Sequence, residues 1–148
     1  MSLPGGADTA GGGARSGADV MRAFLPTSPF VGQLGLRLSD VQPDAATLTM
    51  PFRPELATIG TVVHGGAIAS LIDTTAMVAA WSGAVIPDRL RGSTAGLTVT
   101  YLAPAEGEDL AATARVLRRG RSLVYLDVEV RGVSGTLVAK GLVTYKLG

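Results

Sequence analysis

Residues 61–73 read TVVHGGAIASLID and combine three kinds of reactive group in one short segment. His64 is the only histidine among the 148 residues, and Gly65 and Gly66 follow it directly. The apolar residues after the glycines predict a helix, yet Asp73 puts a carboxylate in its second or third turn. A carboxylate among apolar side chains is costly unless it has hydrogen-bond partners or a function. The segment therefore offers backbone donors, an imidazole and a carboxylate.

The helix is predicted from Gly65 to Ser82, because Gly83 can end it and Pro87 blocks its continuation. Its helical periodicity predicts one stripe facing a sheet, made of Ile68, Leu71, Ile72, Thr75 and Ala79. Asp73 falls on another flank, with small alanines around it that would allow a ligand or a second backbone to approach. The alternative is that Asp73 is simply a polar residue at the exposed edge of the helix.

Strands are predicted on both sides of this helix. Leu34 to Leu38 and Ala45 to Phe52 alternate apolar with small or polar residues, and Pro43-Asp44 suits a turn between them. Beyond Arg91, four more strands are predicted, at about residues 97–102, 110–118, 123–130 and 136–146. One long apolar helix among such strands predicts an α+β fold, with the helix wrapped by the concave side of an antiparallel sheet.

The start of the chain is predicted to differ from the rest. Residues 1–17 are rich in Gly and Ala and indicate a flexible tail, and residues 18–148 are long enough for a single domain. Within that domain, residues 18–24 predict a short helix and Ser28-Pro29 a turn.

Composition narrows the function classes. A net charge of +1 provides no strong field for nucleic acid or an anionic membrane, and no apolar run is long enough to span a bilayer. A signal peptide pattern is absent at the N-terminus, so a cytoplasmic location is expected. The chain has no cysteine, which excludes disulfides and thiolate catalysis, and a single histidine argues against catalytic zinc. No metal site is therefore predicted.

The two ends of the candidate site are too far apart to act within one chain. Amides at a helix start lack intrahelical partners and can stabilise a developing oxyanion, which suits Gly65 and Gly66, although a glycine pair can equally be a turn. His64 can either orient this loop or hold a carbonyl. Eight residues of helix separate Gly65 from Asp73, about 12 Å. Two antiparallel helices at a two-fold axis would bring the start of one beside the middle of the other, which predicts a dimer with two composite sites.

Residues 60–73 resemble the signature of hot-dog-fold acyl-CoA thioesterases of the PaaI-like type. Further similar segments are residues 98–105, Gly107-Glu108, residues 119–122 and residues 139–145. The similarity extends from about Phe24 to the end of the chain. It implies a long central helix wrapped by an antiparallel sheet, assembly into homodimers and often homotetramers, and hydrolysis of acyl-CoA by water, with no metal or cofactor beyond the CoA of the substrate.

The resemblance also implies roles for single residues. By position, Asp73 matches the general base or nucleophile of the family. The Gly65 amide matches the group that polarises the thioester carbonyl, and His64 matches the histidine near that carbonyl. Thr94 matches a residue that helps to position water. Candidate substrate-binding residues are Gly66, beside the Gly65 amide, and the residues of one turn, Arg119, Gly120, Arg121 and Ser122. In relatives this turn often lies near the CoA nucleotide.

One departure concerns the carbonyl side of the site. Many relatives carry an Asn about six residues before the histidine, where this chain has Thr58. Thr58 or Thr61 are the candidates to replace it. Two other functions stay open: an acyl-CoA-binding or sensing protein without catalysis, and, less favoured, a hydratase of enoyl thioesters.

Overall fold

The helix predicted over residues 65–82 is present with these bounds. A computed structural model of the chain describes residues 14–148. Within them the helices are α1 (Gly17–Phe24), α2 (Pro29–Leu34) and α3 (Gly65–Ser82). The strands are β1 (Arg37–Gln42), β2 (Ala45–Met50), β3 (Ala57–Ile59), β4 (Val62–Val63), β5 (Gly92–Tyr101), β6 (Leu110–Arg119), β7 (Leu123–Gly132) and β8 (Leu137–Leu147). Short 3₁₀ turns cover Leu25–Thr27 and Pro54–Leu56.

The main sheet is antiparallel and has the strand order β1-β2-β6-β7-β8-β5. Helix α3 contacts every strand of this sheet, which confirms the predicted α+β fold with a central helix. The strands β3 and β4 form a separate hairpin directly before α3. The chain therefore enters the long helix from a short hairpin outside the main sheet, which also pairs with the loop after β5 through Val62 and Glu106.

The core lies between α3 and the inner face of the sheet. In β7 the residues Val124, Leu126, Val128 and Val130 are buried, as the predicted alternation requires. The predicted stripe on α3 is also buried, with Leu71, Ile72, Thr75 and Ala79 completely inaccessible.

Helix and sheet approach closely at Gly141 in β8. A Cβ atom on this glycine would lie 2.6 Å from Cγ2 of Ile72, closer than non-bonded atoms can approach. The absence of a side chain at position 141 therefore sets how deeply α3 packs into the sheet.

The first part of the domain differs from its prediction. Leu34 to Leu38 is not a strand: residues 29–34 are helix α2, Gly35 ends it in the left-handed conformation with φ 68°, and β1 starts at Arg37. Ser28-Pro29 is accordingly a helix start and not a turn. Proline at the first helical position has its φ preset for a helix and loses no hydrogen bond there.

The N-terminal prediction can be followed only in part. Residues 1–13 of the predicted tail lie outside the described residues. The flexible tail therefore remains a prediction. Ser16 caps α1 by accepting a hydrogen bond from the Asp19 amide, and Gly17 presses against the Trp81 carbonyl at the end of α3. Among residues 14–148, no helix combines the length and hydropathy that crossing a membrane requires.

Candidate active site

His64 caps the N-terminus of α3 with its imidazole. Its Nδ1 accepts a hydrogen bond from the Gly66 amide at 2.8 Å. A neutral imidazole that accepts at Nδ1 carries its proton on Nε2. Because His64 is exposed, this Nε2–H is a donor available to a ligand, and the Gly66 amide is already used within the chain.

Gly65 presents the other donor at this end of the helix. Its amide has no acceptor among residues 14–148, as expected for the first residue of a helix. The Tyr101 hydroxyl donates to the Gly65 carbonyl at 2.6 Å. A Cβ atom at position 65 would lie 3.2 Å from the Tyr101 ring, so the aromatic ring covers the glycine. Tyr101 stands in β5 and was not predicted as a site residue.

Backbone hydrogen bonds to the segments before β3 and after β5 hold His64 in place. The His64 amide donates to the Leu56 carbonyl at 2.7 Å, and the Val63 amide donates to the Ala105 carbonyl at 2.9 Å. Thr58 lies where the register of the hairpin shifts, and Thr61 lies in its turn. Both are exposed, and neither side chain makes a hydrogen bond within the described part of the chain. The replacement of the relatives' Asn by either threonine therefore stays a prediction.

Asp73 is half-buried in the middle of α3 and has one defined partner. The Thr94 hydroxyl donates to Asp73 Oδ1 at 2.5 Å. Thr94 directly precedes a bulge in β5, where the register to β8 shifts between Thr94 and Gly96. Bulges redirect side chains and are frequent beside functional sites. Asp73 is thus not at the exposed edge of the helix, and its Oδ2 has no partner among residues 14–148.

A buried aromatic pair lies beyond Asp73. The Trp81 indole donates to the Tyr145 hydroxyl at 3.1 Å, and Tyr145 stands opposite Thr94 in the sheet. Burial raises the pKa of Tyr145, the hydrogen bond from Trp81 opposes this rise, and the negative charge of Asp73 adds to it. Tyr145 is therefore neutral under ordinary conditions.

The turn predicted to bind substrate lies at the opposite end of α3. Arg119 forms an ion pair with Asp44 at 2.6 Å and donates to the Ala80 carbonyl at 2.9 Å. These contacts tie the end of β6 and the β1–β2 turn to the last turn of the helix. Arg119 therefore has a clear role in the fold, whatever it binds.

The rest of that turn borders a pocket of about 360 Å³ at the end of α3. Gly120 and Arg121 line it, together with Trp81 and Pro87. The Gly120 amide donates to the Leu123 carbonyl at 2.7 Å, which closes the turn. Ser122 is exposed beside Arg121, and its carbonyl accepts from the Leu147 amide. In a single chain these residues do not meet His64 or Gly65.

Comparison with known proteins decides the family. A family model described as the thioesterase superfamily matches residues 60–139, from the hairpin before α3 into β8. The chain belongs to the thioesterase superfamily. This thioesterase is 30% identical over 136 residues to human acyl-coenzyme A thioesterase 13, with 88% of the chain and 93% of the relative covered. It is also 29% identical to a putative esterase of Mycobacterium tuberculosis, with 79% of the chain and 84% of the relative covered.

Solved structures agree on the fold. A thioesterase family protein from Silicibacter pomeroyi superposes with a TM-score of 0.82 at 25% identity, over 89% of this thioesterase and 98% of that chain. The PaaI protein of E. coli gives a TM-score of 0.80 at 23% identity, over 89% and 94%. The thioesterase therefore has the hot-dog fold that the sequence predicts, and its family identifies it as a thioester hydrolase.

Proposed function

We propose that this protein hydrolyses the thioester bond of an acyl- or aryl-CoA to a free acid and CoA. Asp73 of one subunit would activate water or attack directly, and Gly65 of the partner subunit would polarise the carbonyl through its amide. The assembly is a homodimer with two composite sites, which can pair further into a homotetramer. The human relative, named an acyl-coenzyme A thioesterase, supports the substrate class.

The observation that carries the proposal is the hydrogen bond from Thr94 to a half-buried Asp73, the only charged residue of helix α3. One carboxylate oxygen is oriented by the hydroxyl, and the other has no partner among residues 14–148. A carboxylate held in this way suits a general base, because it can accept a proton from water without first giving up a structural contact.

In the general-base route, Asp73 takes a proton from water while the water oxygen attacks the thioester carbon. The carbonyl oxygen becomes an oxyanion, which the Gly65 amide and His64 Nε2–H of the partner subunit can stabilise as donors. The carbon–sulfur bond then breaks, and CoA leaves as a thiolate. Asp73 passes the proton that it took from water to this thiolate. In direct attack, Asp73 forms a mixed anhydride as the thiolate leaves, and water hydrolyses it.

The separation of donors and carboxylate along one helix supports the dimer. Gly65 and Asp73 are about 12 Å apart by helix rise, whereas both must come within about 3 Å of the reacting atoms. An antiparallel pair of α3 helices meets this requirement, since the start of one helix lies beside the middle of the other.

Thiol release from a panel of acyl-CoAs tests the proposal. Asp73→Asn should lower kcat by about 10²–10⁴-fold, while Thr94→Val should lower it about tenfold because it removes one orienting hydrogen bond. Asp88→Asn, an exposed acid in the loop after α3, is the matched control and should keep full activity. The chain contains no cysteine, so every thiol detected comes from CoA.

Two results would contradict the proposal. Wild-type turnover in Asp73→Asn would exclude this carboxylate as base or nucleophile. Tight acyl-CoA binding by the wild-type protein, with no thiol released from any substrate of the panel, would favour the alternative, a binding or sensing protein.

A further inference from the structure

Three groups at the start of α3 form a continuous chain of hydrogen bonds. The Tyr101 hydroxyl donates to the Gly65 carbonyl at 2.6 Å. That carbonyl belongs to the same peptide group as the Gly66 amide, which donates to His64 Nδ1 at 2.8 Å. The chain therefore runs in one direction from a phenol, through one peptide bond, to the imidazole.

Such a chain affects the imidazole from a distance. A donor on the carbonyl side of a peptide group increases its polarisation, which makes its N–H a stronger donor, by about 10–30% per bond in condensed phases. A stronger Gly66 donor holds Nδ1 as an acceptor and so keeps the proton on Nε2. The Tyr101 ring also lies against Gly65, where a Cβ atom would be only 3.2 Å from it, and this close cover restricts movement of the first turn.

We infer that Tyr101 is a positioning residue for the reaction: it fixes the tautomer and orientation of His64 through the Gly65–Gly66 peptide and so presents Nε2–H to the thioester carbonyl. Tyr101 does not itself touch the reacting atoms in this arrangement. The inference rests on the proposed function, because it assigns His64 a carbonyl to which it donates.

Two mild substitutions interrupt this chain of hydrogen bonds, one at the tyrosine and one beside the imidazole. Tyr101→Phe keeps the ring over Gly65 and removes only the hydroxyl. Gly66→Ala keeps the amide, but its Cβ would lie 2.9 Å from His64 Nδ1 and 3.0 Å from Cε1, so the imidazole must move. Tyr125→Phe is the matched control, because Tyr125 is an exposed tyrosine of β7 with no side-chain hydrogen bond among residues 14–148.

The first readout is the ¹⁵N spectrum of the imidazole together with the Gly66 amide proton shift, recorded with the imidazole neutral. His64 is the only histidine, so both imidazole nitrogen signals belong to it. We expect a wild-type spectrum with Nδ1 unprotonated and Nε2 protonated. In Tyr101→Phe the Gly66 amide proton should move upfield. In both Tyr101→Phe and Gly66→Ala the two nitrogen shifts of His64 should approach each other, whereas Tyr125→Phe should match wild type.

The second readout is thiol release. Tyr101→Phe should lower kcat by about three- to tenfold with little change in KM, as expected for loss of one hydrogen bond that acts in the transition state. The double variant with Gly66→Ala should lose less than the product of the single losses, because both break one chain. Thermal unfolding of each variant separates these effects from misfolding.

The two readouts keep this inference apart from the proposed function. A wild-type protein that releases no thiol would overturn the function, while its spectra would still decide whether Tyr101 controls the tautomer of His64. Unchanged spectra in Tyr101→Phe would overturn the inference, and so would altered spectra with unchanged kcat in an active enzyme.

Discussion

The two ends of helix α3 are built in opposite ways. At the start, Gly65 has an amide without an acceptor among residues 14–148, and His64 is exposed. At the end, Arg119 binds the Ala80 carbonyl, and the Ser82 hydroxyl donates to the Ala79 carbonyl. The start therefore offers donors to a ligand, whereas the end uses its polar groups within the fold. Substitutions at the start should change turnover, and loss of the Arg119 contacts at the end should change stability.

Among the substitutions that compare the two ends of α3, Gly65→Pro is expected to have the largest effect. Proline is favoured at the first helical position, and His64, with φ −61° and ψ 134°, already has the backbone conformation that a following proline requires. The substitution thus removes the amide proton without breaking a helical hydrogen bond. We expect kcat to fall by about 10²–10³-fold, as for the loss of one oxyanion donor.

Gly65→Ala is the control for that substitution, since it places the same Cβ against the Tyr101 ring but keeps the amide. Equal losses in both variants would show that the ring contact matters and the amide does not. A mixture of Gly65→Pro and Asp73→Asn subunits also tests the composite site. Each mixed dimer keeps one intact site and should regain about half of the wild-type rate, whereas sites within one chain would regain nothing.

Substitution at the other end compares two arginines of one turn. Arg119→Gln should lower the free energy of unfolding by about 1–3 kcal/mol, because Asp44 and the Ala80 carbonyl lose a charged donor. Arg121→Gln should leave stability unchanged, since Arg121 is exposed and makes no ion pair among residues 14–148.

Chemical denaturation and KM for acyl-CoA distinguish the two roles. If Arg121 binds a phosphate of CoA, as the resemblance implies, its variant should raise KM alone. A raised KM with unchanged stability in Arg119→Gln would reverse the assignment of this end as structural.

The smallest expected effect concerns alkaline pH. The pKa of Tyr145 is raised above its usual value of about 10 by burial, so the folded state holds the phenol proton more tightly than the unfolded state. Its contribution to stability is therefore complete below pH 10 and decreases as the pH rises above that value. Tyr145→Phe should weaken the decrease in melting temperature above pH 10, at a cost of about 1 kcal/mol at neutral pH from the lost Trp81 contact. An identical alkaline slope in both proteins would contradict this.

The open start of α3 is predictable from the sequence, whereas the closed end is not. His64, Gly65 and Gly66 are neighbours in the chain, and their chemistry follows from where a helix must begin. Arg119 instead meets Asp44 and Ala80, which are 75 and 39 residues away, so its role depends on tertiary structure. Tyr101 is missed for the same reason, since only the pairing of β5 with β8 brings it to Gly65.

Local signals explain the errors in secondary structure. The alternation over Leu34 to Leu38 is five residues long, too short to separate a strand from the end of one helix and the start of the next strand. Pro29 and Gly35 bound α2 as helix start and stop signals and would have predicted it. No such signal predicts that β5 begins as early as Gly92. This stretch contains two glycines and a bulge, and its pairing with β8 keeps it in the strand conformation.

A side chain on Gly141 would alter the site without touching it. Ile72, which packs directly on this glycine, is the residue before Asp73, so any shift of the helix there also moves the carboxylate relative to Thr94. A substitution at position 141 would therefore affect both the packing of the core and the position of Asp73. Divergence of such an enzyme toward new substrates is expected to spare this position while loops at either end of α3 vary.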